Sequence, residues 1–92
     1  MSPTELSIPD KRVVGLKQVQ RFARMDMLES VFIAKDADET VIEKLTQLCA
    51  KHSLPFDMTL TMHQIGSACL IEVGSSCAGV LKAYAAQRPD TR

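Results

Sequence analysis

The 92-residue chain carries 11 basic and 11 acidic side chains, with 46% hydrophobic and 24% charged residues. This neutral composition fits one globular domain and excludes wholesale disorder. No apolar run approaches the roughly 20 residues needed to cross a bilayer. Met1 to Asp10 holds two prolines and no apolar segment of a signal peptide, so a cytoplasmic location is expected.

Residues 1–10 read as a flexible leader, because Pro3 and Pro9 interrupt regular structure. Arg12-Val13-Val14 is a short apolar stub that ends at Gly15. From Leu16 to about Met25 the spacing predicts a helix. Leu16, Val19 and Ala23 share one side, while Lys17, Arg21 and Arg24 line another. Val31-Phe32-Ile33-Ala34 is a continuous apolar run, as expected of a strand covered on both faces. Asp36 and Asp38 then offer cap oxygens to a helix with Val41, Ile42, Leu45, Leu48 and Cys49 on one face. That helix stops before Pro55, and residues 56–60 alternate like a strand. Thr61 is placed to cap a short helix through Ile65 and Ala68.

The last quarter has two readings. Ser75 to Gln87 can form a capped helix rich in alanine, or residues 77–81 can form a final inner strand followed by a tail over 83–92. The alternation of strand and helix before it argues for helices packed on both faces of a sheet.

Cys49, Cys69 and Cys77 are odd in number and lack CxxC spacing, which favours reduced, core-filling thiols. Cys49-x-x-His52 has no second ligand pair, so no metal is expected. Glu72, between Ile71 and Val73, is a lone carboxylate in apolar surroundings. Neither a second acid nor a nucleophile accompanies it, and Gly74-Ser75-Ser76 lacks the glycine-flanked elbow of hydrolases. No catalytic residue is assigned, and neither an enzymatic activity nor a cofactor is expected.

Charge is distributed unevenly. Lys11, Arg12, Lys17, Arg21, Arg24 and Lys35 face only Asp26 and Glu29 in the same stretch, a local excess of four positive charges. A glycine followed by a cationic helix start suits phosphates, since the first-turn amides are free and Gly15 lets a phosphodiester approach. Gln18 adds a carboxamide able to donate to and accept from a base edge. An alternative remains open: Met25, Met27 and Asp26 also suit a protein-protein interaction module without RNA binding.

Four pieces recur in order: Val14-Gly15-Leu16-Lys17-Gln18 with Arg21, Val31 to Asp38, Ile65-Gly66-Ser67-Ala68-Cys69, and Ile71-Glu72-Val73-Gly74. Over residues 11–82 the chain thereby resembles the kink-turn RNA-binding family of archaeal and eukaryotic large-subunit ribosomal proteins, in particular its small bacterial paralogues. The resemblance implies an α/β fold, a three-layer α/β/α sandwich with a small mixed four-stranded sheet, whose last strand spans residues 78–82. It implies a monomer that binds structured RNA, kink-turn or ribosomal, and takes no small-molecule substrate. Gly15, Lys17, Gln18 and Arg21 would approach phosphates and sheared G·A pairs, with Lys35 a further contact. Ile71, Glu72, Val73 and Gly74 would shield the bulged nucleotides. Leu70 stands where that family usually has glycine.

Overall fold

Strand β1 (Arg12–Val14) and strand β4 (Cys77–Leu81) pair antiparallel, with Val14 opposite Ala78. β4 also pairs antiparallel with β2 (Leu28–Ile33), and β2 pairs in parallel with β3 (Phe56–Asp57). The computed structural model describes residues 3–83, and the resulting mixed sheet has the order β1-β4-β2-β3. Helices α1 (Leu16–Arg24), α2 (Glu39–Lys51) and α3 (Met62–Ala68) complete the α/β fold expected above.

Alternation along the inner strands builds two apolar layers. Cys77 and Leu81 of β4, with Val31 and Ile33 of β2, face Val19 and Ala23 of α1 and Leu45 and Cys49 of α2. Ala78, Val80 and Phe32 face the other way, toward Ile65 and Cys69 of the α3 segment. A shift of register between Leu28 and Ser30 lets Leu28 share the first layer with Val31 despite their odd separation. β4 is buried along its whole length, which selects its inner-strand reading over the helix from Ser75. The expected tail over 83–92 lies outside the described residues apart from Ala83.

Three local expectations change. The leader is structured from Pro3 onward: Pro3–Ser7 and Pro9–Lys11 form 3-10 turns, and Leu6 is wholly buried in the α3 layer. Proline opens such turns readily because its fixed φ suits the first position and its missing N–H is not needed there. β3 ends at Asp57 rather than running to Leu60, because Asp57 Oδ1 accepts from both the Thr59 N–H (2.8 Å) and the Thr59 hydroxyl (2.6 Å). This local turn diverts the chain from the ladder and holds the Asp57 carboxyl below its ordinary range. Asp38 occupies the cap position of α2 without a side-chain bond, whereas Asp36 Oδ1 accepts from the Met62 N–H at 2.8 Å and so serves α3. The Thr61 cap forms as expected, reciprocated by Gln64 in a capping box.

Helices α1, α2 and α3 end in the same way. Asp26, Ser53 and Leu70 each adopt a left-handed conformation (φ 57, 55 and 60°) just past the cap residue. The following amides return to the last turn: Met27 to Phe22, Leu54 to Cys49, and Ile71 to Gly66. Asp26 Oδ1 accepts from Lys82 Nζ at 2.9 Å, a contact that holds the first of these turns against the end of β4; Leu70 is the bulky exception among the three.

Candidate nucleic-acid interface

β1 delivers Gly15 at the rim of the sheet, where its N–H donates to the Cys77 carbonyl at 3.0 Å. Its φ of 95° and ψ of 161° lie in territory open essentially to glycine alone. A β-carbon there would meet no atom within 4 Å, so the glycine is required for its conformation and not for space. The Gly15 carbonyl accepts from the Val19 N–H and starts α1, which has no side-chain cap. The amides of the first turn therefore point outward beside the exposed side chains of Lys17 and Gln18. Arg21 follows one turn later, about 6 Å along the same stripe. Its guanidinium lies 5.8 Å from the Phe22 ring centroid, a contact that limits its wandering.

At the same end of the sheet, β2 runs out into Lys35. The Ala34 N–H donates to Ser76 (2.8 Å) and the Lys35 N–H to Leu60 (2.8 Å), leaving the Lys35 side chain exposed. Gly15, Cys77 and Ile33 lie in one row across three strands, so roughly 10 Å separates the Gly15 backbone from that of β2.

Residues 70–76 return along α3 to reach Cys77. Ile71 is half-buried in the α3 layer, whereas Glu72, Val73 and Gly74 are exposed. Val73 is 69% exposed, an apolar side chain offered to solvent. The loop is held from inside: Ser75 N–H donates to Met62 (3.1 Å), and Ser75 Oγ donates to the Cys77 carbonyl (2.8 Å). Glu72 lies in the open, outside the apolar surroundings that its neighbours Ile71 and Val73 suggest.

The helix start and the loop thus sit on opposite faces of the sheet, and the C-terminal end of the loop, from Gly74 onward, approaches the helix start through the Gly15–Cys77 bond. The remaining cations separate from this group. Arg24 ends α1 at the far end, and Lys11 lines a hollow of about 330 Å³ there with Glu5, Asp10 and Glu29. Arg12 turns inward, a role no local pattern signals because one of its acceptors lies 57 residues away.

The three cysteines are free and buried. Burial pushes the Cys49 thiol up to about 11 and the Cys77 thiol to about 11, the latter partly opposed by the Ser76 hydroxyl. Burial also raises Cys69, against the pull of the Arg12 charge. Among the described residues no group of three His, Cys, Asp or Glu is placed to hold a metal ion. No described helix is long and apolar enough to cross a membrane.

Comparison with known proteins agrees with this architecture. The chain is 37% identical over 70 residues to an RNA-binding protein of Caldanaerobacter subterraneus subsp. tengcongensis, covering 76% of this chain and 85% of the relative. It is 33% identical over 72 residues to the RNA-binding protein YbxF of Geobacillus stearothermophilus, covering 78% and 88%. The solved Giardia lamblia 15.5kD RNA binding protein shares the fold, with a TM-score of 0.79 at 21% identity over 91% of this chain and 71% of that one. Residues 4–88 match the Ribosomal protein L7Ae/L30e/S12e/Gadd45 family, a span that includes the N-terminal turn. The chain belongs to this family.

Proposed function

We propose that this protein recognises a kink-turn-like element in structured RNA, through the end of the sheet where α1 begins and the 71–74 loop returns. Its family and its relatives make it a non-catalytic RNA-binding protein. The finer reading rests on one observation: the hydrogen bond from Gly15 to Cys77 draws the cationic helix start and the apolar loop to one rim. Gly15, Lys17, Gln18 and Arg21 approach the phosphates and distorted base pairs, and Lys35 adds a contact from β2. Ile71, Glu72, Val73 and Gly74 cover the unstacked nucleotides.

The physics favours a bent ligand. Bending RNA crowds its phosphates, and cations on the inside of the bend offset the repulsion. A neutral protein gains little from an extended duplex, so shape and a few base-edge contacts carry the discrimination. We read the active form as a cytoplasmic monomer, consistent with its three free thiols. The test is a gel-shift titration of the whole chain against a kink-turn duplex and the same duplex without its bulge. Tight binding to the first alone is expected; equal affinity for both defeats the proposal.

A further inference from the structure

Arg12 is a cation that the RNA-facing rim does not use. It begins β1 at the end opposite Gly15, half-buried, with its side chain directed into the molecule. Its Nε donates to the Leu6 carbonyl at 2.9 Å and its Nη2 to the Cys69 carbonyl at 2.9 Å. Both acceptor residues are fully buried and belong to the layer that packs around Ile65 and Phe32.

The Cys69 carbonyl matters because of where it stands. Cys69 caps the C-terminus of α3, and helix-end carbonyls have no amide of the next turn to bond. A guanidinium there satisfies the acceptor and complements the negative end of the helix dipole. Immediately beyond it the chain enters the left-handed Leu70, 74% exposed, a conformation that leucine resists. The turn is closed by Leu70 N–H to Ser67 and Ile71 N–H to Gly66, both at 3.0 Å. The residues emerging from this turn are those of the loop itself. One planar group with fixed donors therefore ties the N-terminal turn, β1 and the root of the loop together.

We propose that Arg12 is a positioning residue for RNA recognition: it sets the path of the Leu70–Gly74 loop, and links the Pro3–Ser7 turn to it, without touching the ligand. This rests on the function proposed above, so the test carries one readout that needs RNA and one that does not. The variants are Arg12→Ala and Arg12→Lys in the full chain. Lysine keeps the charge and the apolar stem but cannot present two fixed donors, and it serves if the alanine variant fails to fold.

In the free protein, native-state hydrogen exchange at Leu70 and Ile71 is expected to accelerate about tenfold in either variant, while Leu45 in α2 is unchanged. Affinity for the kinked duplex is expected to fall about tenfold, with the dependence on log salt unaltered because no phosphate contact is lost. Equal acceleration at Leu45 reduces Arg12 to a general stabiliser and overturns the proposal. So does unchanged exchange at Leu70 and Ile71. A salt slope lowered by about one also overturns it, by making Arg12 a direct phosphate contact. If the native protein fails to distinguish kinked from bulge-free RNA, the function proposed above falls, and the exchange result still decides whether Arg12 holds the loop.

Discussion

Gly66 and Val73 interlock: the space a β-carbon would take on Gly66 is filled by the Val73 carbonyl oxygen. The Val73 carbonyl carbon and Gly74 Cα would lie 3.0 and 3.1 Å from the same position, so the obstacle is backbone and cannot rotate aside. Gly66→Ala must lift the loop off α3. A cost of about 1–3 kcal/mol is expected, as for overpacking a tight core, with a lower melting temperature and weaker binding to kinked RNA. Gly15→Ala fails for a different reason, since space is free there and only the backbone angle forbids a side chain, at about 1–3 kcal/mol. Thermal denaturation of both variants, followed by RNA titration, checks the pair.

Asp36→Ala is expected to cost about 1 kcal/mol, and Asp38→Ala less than about 0.5 kcal/mol. Only Asp36 accepts from a helix-start amide, that of Met62, while Asp38 caps α2 without a side-chain bond. The sequence suggests both acids for the same helix. Denaturant midpoints for the two variants distinguish the arrangements, and equal losses contradict the one described.

Periodicity carried most of the fold, and its failures are instructive. The α1 wheel was legible because Val19 and Ala23 must be buried wherever that helix packs, and the buried run of β2 was legible because both its faces are covered. The partners of Arg12, Asp36 and Gly66 were not, since their contacts depend on how α3 and its returning loop are seated. The order in residues 3–10 is not legible because Leu6 and Ile8, isolated in a polar, proline-containing segment, show no pattern that marks Leu6 for burial until Phe32 and Ile65 supply its pocket. For the candidate interface, the residue types at Gly15 to Arg21 pointed to phosphate. The meeting of that segment with Gly74–Cys77 is a property of strand order alone.

Leu70→Gly is expected to stabilise the protein by about 1 kcal/mol or less, because relief of the left-handed strain outweighs the freedom gained by the unfolded chain. Little packing is lost, as the side chain is 74% exposed. Leu70→Ile goes the other way, since a branched β-carbon crowds that conformation further. Opposite shifts in melting temperature confirm the strain; a loss in both assigns Leu70 a packing role.

Stability should fall as the solution becomes alkaline. Burial raises the Cys49 and Cys77 thiols to about 11 from 9.0, so the folded chain keeps protons that the unfolded chain gives up. The contribution is full below pH 9 and is lost as the pH climbs from there toward 11. Urea midpoints measured at about pH 8 and about pH 10 should therefore diverge, and a Cys49→Ala, Cys77→Ala double variant should flatten the difference.

The cations of the sequence excess are not equivalent once folded. Lys17 and Arg21 lie on the first two turns of α1 at the Gly15 end, whereas Arg24 closes the helix at the other end and Lys11 stands among Glu5, Asp10 and Glu29. Lys17→Ala and Arg21→Ala are each expected to lower the slope of log affinity against log salt by about one, as losing one phosphate contact does. Lys11→Ala and Arg24→Ala should leave it within experimental error. Gln18→Ala should keep the slope and narrow the gap between kinked and bulge-free RNA, because a carboxamide neutralises no charge and acts at base edges. Four equal slope changes instead indicate that RNA is held by diffuse charge over α1 and the Pro9–Lys11 turn alike, with no fixed interface at the rim of the sheet.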